Sequence, residues 1–239
     1  MMKKVFIAVL ALVTFADAAL SKEAPAVGEK ASEVAIVLKA IKQVDYRETD
    51  KSWSKAQRGQ RLNSGDDIRT GEGSFSILRF IDGTVIRVRE KSEVKVRGEK
   101  NPKLNMYDKS VELSVGKVGF NVKKHQNEQF RFTSPTAVAT IKGTSGIWGG
   151  NLLIITESGS SPAAILEALS GLKQRVEIYV GETGFVNQDG SVGKRKSSKA
   201  DLEDAKDATG LGEDGKSKKK VIIKFRTKEG DLKEVEVAK

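Results

Sequence analysis

His125 is the single histidine of this 239-residue chain, which has no cysteine. It lies in the polar run KKHQNEQ. One imidazole with no second histidine or thiolate makes no zinc site of the usual kind. Without a positioned carboxylate it cannot complete a serine–histidine–acid triad. Asp66, Asp67 and Asp82 offer hard oxygen ligands, but no EF-hand spacing follows them. Beside Gly65 and Gly83, these aspartates are expected to make turns. Ser145 in GTSG lacks the flanks of a nucleophile elbow. GEGS and GTSGIWGG are glycine-rich without the phosphate-loop pattern. No particular carboxylate pair stands out for glycoside hydrolysis. Trp53 and Trp148 are the two tryptophans. Either has the chemistry of an aromatic platform, and core packing is the expectation for both. No catalytic residue, cofactor-binding residue or metal ligand is assigned, so the chain is expected to be no enzyme and to take no cofactor.

The elements that position these residues begin after an export signal. Lys3 and Lys4 form a short positive region, Val5 to Phe15 is apolar, and Ala16-Asp17-Ala18 is a small-x-small cleavage site. Residues 1–18 are therefore expected to be a signal peptide, cut after Ala18 and too short to span a bilayer, which takes about 20 apolar residues. No cysteine stands nearby for lipid attachment, and no later stretch is apolar enough for a membrane span. The mature chain is expected to be periplasmic in a bacterium, with release from the cell as the other destination. It has no disulfide, so its stability must come from a packed core.

Residues 19–32 form a polar, flexible lead-in. Residues 33–192 show short runs rich in Val, Ile, Thr and Phe between Gly, Asn, Asp and Ser, the pattern of an all-β domain. Two runs are ambiguous. EVAIVLKAIKQV fits helical and strand periods alike, and its β-branched content favours a strand. SSPAAILEALSG, residues 160–171, carries helix signals in Ser161, Pro162 and Gly171, and helix and strand stay open there. Residues 193–219 are charged and poor in large apolar side chains, a disordered linker or at most a frayed helix around Ala200 to Ala208. Residues 220–239 resume alternation about Lys228-Glu229-Gly230-Asp231, as a C-terminal β-hairpin.

The run GDDIRTGEGSFSILRFIDGTVIRVREKSEV fixes a register. A two-residue loop at Asp82-Gly83 would mix charge into both faces of the flanking strands, because a one-residue slip flips every side chain. A three-residue loop, Ile81-Asp82-Gly83, with Gly83 in the left-handed conformation, does better. It places Ser76, Leu78, Phe80, Thr84, Ile86 and Val88 on one uncharged face. Arg79, Arg87 and Arg89 then share the other with Phe75, Ile77 and Val85. Those arginines either grip an acidic partner or phosphate, or form a solvated face whose stems cover Ile77 and Val85.

The same residues resemble the exported domain of the FecR family. Gly65, Asp66, Ile68, Thr70 and Gly71 match its Gly-Asp-x-Ile-x-Thr-Gly pattern. Leu78, Phe80, Asp82, Gly83 and Thr84 match the strand and Asp-Gly turn that follow. Downstream, Leu113, Gly116 and Val118, then Pro135, Thr136, Ala137, Val138, Ala139, Gly143 and Thr144, are similar to later family segments. The resemblance runs from about Val34 to Val192. It implies an all-β domain of stacked short strands, a β-solenoid, roll or sandwich, with Ile68, Leu78, Ile86, Val88, Val118 and Phe120 inside. Gly65, Gly71, Gly73, Gly116 and Gly119 suit tight corners. Lys142 departs from the arginine usual before Gly-Thr. The chain is expected to be a stand-alone form, without the anti-sigma segment and membrane helix of signalling members, so their control of a sigma factor does not transfer.

The formal net charge is +10. For an exported chain, such a balance favours an acidic envelope protein or an anionic envelope polymer as partner, and not nucleic acid. The expected function is a non-enzymatic binding module, a scaffold or accessory subunit at the envelope. Its candidate binding face is Arg79, Arg87 and Arg89, with Lys218, Lys219 and Lys220 in the tail. The alternatives are an in-trans sensor domain in sigma-factor signalling and an unrecognised envelope enzyme acting on polysaccharide.

Overall fold

The structure is a computed structural model and describes residues 33–101, 106–125, 129–158, 160–171, 174–209, 220–226 and 232–238. The expected signal peptide with Ala16 and Ala18, and the expected lead-in to residue 32, lie outside the described residues.

The chain builds two sheets by crossing between them. β1 (Glu33–Ile41) lies in the first sheet, β2 (Val44–Arg47) and β3 (Ser54–Lys55) in the second, β4 (Arg61–Asn63) in the first and β5 (Asp67–Thr70) in the second. Hairpins then alternate. β6 (Phe75–Phe80) and β7 (Val85–Val88) join the first sheet, and β8 (Glu93–Asn101) and β9 (Met106–Val115) the second. After β10 (Val118–Asn121) in the first come β11 (Phe130–Thr133) and β12 (Ala137–Ile141) in the second, then β13 (Thr144–Trp148) and β14 (Leu152–Ser158) in the first. β15 (Ala164–Ala168) and β16 (Arg175–Ile178) extend the second sheet, and β17 (Glu182–Val186) and β18 (Val192–Lys196) the first. The helix α1 (Lys199–Thr209) follows, and β19 (Lys220–Arg226) and β20 (Leu232–Ala238) pair as a separate two-stranded sheet.

The strand orders are β18-β17-β14-β13-β10-β7-β6-β1-β4 and β16-β15-β12-β11-β9-β8-β5-β2-β3. Each new hairpin is laid beside the last, so the chain advances along a rolled sandwich. The fold is all-β and sandwich-like, as the alternating pattern predicts. Among the described strand pairs only β9 and β11 run parallel.

Period-2 patterning explains the core. The six predicted interior residues are buried, Ile68, Leu78, Ile86, Val88 and Val118 at 0% exposure and Phe120 at 1%. The β6–β7 register is the three-residue one: Leu78 faces Ile86 and Arg79 faces Val85. The Phe80 N–H donates to the Thr84 carbonyl at 2.9 Å, and Gly83 has φ +82°, a conformation that side chains disfavour.

The ambiguous EVAIVLKAIKQV run is strand β1, with a register shift between Val37 and Lys39. The segment that was open between helix and strand is β15, where Ala164, Leu166 and Ala168 are buried alternately between β12 and β16. The expected disordered linker at 193–219 is corrected over its first part. Residues up to 196 form β18 and residues 199–209 form the helix, realising the other reading of that stretch. Its charges do not forbid packing, because arginines of the first sheet meet them. Residues 210–219 and 227–231 lie outside the described residues.

Candidate functional site

β6, β7 and β10 bring Arg79, Arg87, Arg89 and Lys117 to the outer face of the first sheet. This is the face opposite the charge-free row that fills the core. Arg79 is exposed. Arg87 and Arg89 are not a solvated face, since α1 lies across them.

The helix starts at a reciprocal cap. Asp201 N–H donates to Ser198 Oγ at 3.1 Å, and Ser198 N–H donates to Asp201 Oδ2 at 2.8 Å. Thr183 and Ser197 share a hydroxyl hydrogen bond of 2.8 Å beneath this cap. Arg195 binds Asp201 through both terminal guanidinium nitrogens. Further along, Arg89 Nη1 lies 2.8 Å from Asp204 Oδ1, and Lys117 Nζ lies 3.4 Å from Asp204 Oδ2. At the last turn, Arg87 donates to the Asp207 carbonyl at 3.0 Å, where a cation also suits the helix dipole. Arg87 also lies over the Phe75 ring, 4.3 Å from its centroid. Burial, and then Arg89 beside it, pull the Arg87 guanidinium below its ordinary value.

Between these charges the contact is apolar and close. Ala205 and Ala208 pack on Ile147 and Ile154, with Leu152 at the margin. Gly119, expected at a corner, instead sits inside β10, where a Cβ would come within 2.7 Å of the Ala208 Cβ. Its missing side chain lets the helix lie flat. Arg79, Arg87, Lys123, Ala208 and Thr209 rim a small pocket of about 50 Å³ beside the helix end.

Arg195 and the Ser198 cap hold the Asp201 carboxyl well below the usual carboxylate range. A depressed folded-state value contributes stability that is complete above the unfolded value, about 3.9 for aspartate, and is lost as pH falls below it. The amides of α1 are therefore expected to keep their hydrogen-exchange protection from pH 7 to about 5 and to lose it first below about pH 4. Protection lost near pH 6 would refute this anchoring.

The motif residues turn out to tie corners. Gly65 N–H donates to the Val96 carbonyl at 2.8 Å, and Asp66 Oδ2 accepts from Asn63 N–H at 2.8 Å. Burial pushes the Asp66 carboxyl up. Thr70 Oγ1 binds the Arg89 carbonyl and accepts from Ser92 N–H at 3.1 Å, and Gly71 N–H reaches the Gln43 carbonyl at 3.0 Å. Next to Pro135, Ser134 Oγ accepts from Ala137 N–H at 3.0 Å and donates to the Gly150 carbonyl. Gly143 has φ +88°, and Thr144 is buried.

Asp67 makes no turn. Its carboxylate is 6% exposed and lies 2.8 Å from Arg47 and 2.9 Å from Lys95, on the outer face of the second sheet. Trp148 is core, at 0% exposure. Trp53 is not: it precedes edge strand β3 and lies on that outer face, with Arg47 and Arg69 guanidiniums 4.5 and 4.2 Å from its ring centroid. His125 is exposed, with Nε2 3.0 Å from the Asp82 carbonyl oxygen. Among the described residues no group of three or more His, Cys, Asp or Glu is placed to hold a metal. Lys218 and Lys219 lie outside the described residues, and Lys220 opens β19.

The sequence reading missed the partners of the arginines. Asp201, Asp204 and Asp207 recur every three residues after Ser198, a capping and acidic-face signal in a stretch read as a disordered linker or at most a frayed helix.

Residues 66–165 match the family model described as FecR protein. Two crystal structures of a candidate anti-sigma factor from Parabacteroides distasonis ATCC 8503, at 1.65 and 2.50 Å resolution, are similar at 18% and 17% identity, each with a TM-score of 0.43. Each comparison covers 55% of this chain, which spans 60% of the length of the other. No curated protein matches. The matched segment contains β5, the β6–β7 hairpin and β12 with the turns that flank it, and residues 66–165 of this chain therefore form a FecR-family domain.

Proposed function

We propose that the chain is a non-enzymatic binding module of the bacterial envelope, a scaffold or accessory subunit that holds a protein partner in the periplasm. The observation that carries this reading is the terminal hairpin. β19 and β20 form a sheet of two strands, pairing Val221 with Val237 and Ile223 with Val235. A two-stranded hairpin is marginal in water by itself, and its outer strand edges are templates for adding a partner strand. The lysines before it supply electrostatic attachment to an acidic protein. The FecR match favours one second reading, a sensor acting in trans with a separate membrane regulator. A sigma-factor reporter unchanged by deletion of this chain would eliminate it.

The test is in-cell crosslinking of the tagged chain with mass spectrometry of what it captures, compared with a chain ending at Thr209. That cut spares β18 of the first sheet and α1, which packs on that sheet. The expected result is one dominant envelope protein that disappears on truncation. Capture of lipopolysaccharide or peptidoglycan alone, abolished by salt, would replace the protein partner with an anionic polymer.

A further inference from the structure

The arginine face already holds an acidic helix, and the hold is weak relative to what lies beneath. α1 buries only Ala205 and Ala208. Its ion pairs are partly exposed: side-chain exposures are 33% and 32% for Arg89–Asp204, 53% and 32% for Lys117–Asp204, and 46% and 14% for Arg195–Asp201. Such pairs contribute little each, and an 11-residue helix is marginal without its packing. The sandwich below does not depend on the helix, because its core lies between the sheets. Release of α1 is thus among the least costly openings of this fold. It would uncover Ile147 and Ile154, now 0% and 2% exposed, in a strip floored by Gly119 and framed by Arg87, Arg89, Lys117 and Arg195.

We infer that this strip is a docking site for an acidic helix of a protein partner, which α1 occupies in cis until it is displaced. The geometry states what the partner helix must carry. A small residue has to lie over Gly119, because there is no room for more beside the β10 backbone. A second small residue three positions earlier covers Ile147 and Ile154, as Ala205 does. Carboxylates three apart, in the places of Asp201 and Asp204, meet Arg195 at one end and Arg89 with Lys117 in the middle. Arg87 takes a main-chain carbonyl of the last turn and so sets the direction. The site makes no use of the terminal hairpin, so its failure and the failure of the truncation experiment are separable.

The test uses the full chain and a fluorescent peptide of residues 198–209, read by anisotropy. In the wild-type chain the site is occupied, and apparent affinity is reduced by the open fraction. Ala208→Arg cannot seat over Gly119 and frees the site, so the peptide is expected to bind that chain at least about tenfold more tightly than wild type. Adding Arg89→Glu is expected to weaken binding about fivefold. A peptide with both Asp201→Lys and Asp204→Lys should not bind. The near-ultraviolet signal of buried Trp148 verifies the fold. Asp204→Lys, which loosens α1 without steric load, serves as a second opened chain. Equal peptide affinity for wild-type and both opened chains, or binding indifferent to Arg89, overturns the docking site. A wild-type dimer that the peptide dissociates would make the occupant a second copy of this chain, and would overturn the assignment to a different protein.

Discussion

Replacing Lys109 by methionine is expected to destabilise the protein by about 3–5 kcal/mol, measured by urea denaturation. Lys109 Nζ lies 3.2 Å from Asp82 Oδ2, with side-chain exposures of 2% and 7%. Lys109 belongs to β9 of the second sheet and Asp82 to the β6–β7 loop of the first, so the pair ties the two sheets together at one end of the sandwich. Methionine keeps the length of the stem and removes the charge, which leaves the buried Asp82 carboxylate without this cation. Asp82 retains two donors, Thr84 N–H at 2.9 Å and Thr84 Oγ1 at 3.1 Å, and these hold the loss toward the lower end of the range. A loss of that size is a large fraction of a typical stability of about 5–15 kcal/mol. The second substitution discriminates. Asp82→Asn still makes the turn and still accepts from Thr84 N–H, so in the Lys109→Met background it should recover most of the loss. If Asn at 82 made the double variant worse by its full single-variant cost, the pair would be uncoupled and the inter-sheet account wrong.

The β6–β7 hairpin was legible in the sequence because three arginines cannot be buried. Only one loop length gathers Arg79, Arg87 and Arg89 on one face, and the core took the other. The interior residues followed from the same alternation. Elements failed where the deciding partner is remote. AILEA has buried Ala164, Leu166 and Ala168, but alanine and leucine carry little β preference, and the strand exists because β12 and β16 flank it. The helix was hidden for the same reason. Lys199 to Thr209 has too little apolar surface to fold alone, and its partners stand far away in the chain, Arg87 on Asp207 and Arg89 on Asp204. Besides the acidic spacing after Ser198, a remote hint was Gly119 between Val118 and Phe120, a glycine inside a strand pattern, which marks close approach of another backbone as readily as a corner. Trp53 escaped in a related way. Nothing in SWSKAQRGQRL tells that its strand would be an edge, with guanidiniums from two neighbouring strands beneath the ring. The site was thus half visible: the cations were found, and their acidic occupant was read as a disordered linker or at most a frayed helix, with no partner.

Truncating Phe132 to alanine should cost about 3–5 kcal/mol, the range for a buried aromatic. Phe80 and Phe120 come from the first sheet and Phe130 and Phe132 from the second, and all four are at most 2% exposed. Phe132 lies 4.8 Å from Phe120 and 5.1 Å from Phe130 between ring centroids, and Phe130 meets Phe80 edge-on at 5.0 Å. The rings therefore form one chain across the sandwich, in which Phe132 and Phe130 each meet a ring of the first sheet. A calorimetric midpoint lower by about 6–20 °C is the expected reading for a domain of this size. Phe132→Leu, which keeps most of the volume, should cost less than half as much. The pair Phe130→Ala with Phe132→Ala sharpens the claim. Each single variant loses the contact between the two rings, and the double variant can lose it only once, so its cost should fall below the sum by about 0.5–1.5 kcal/mol. Strict additivity would mean that the two rings act as independent plugs in separate parts of the core, and that the sheets are held together by area alone.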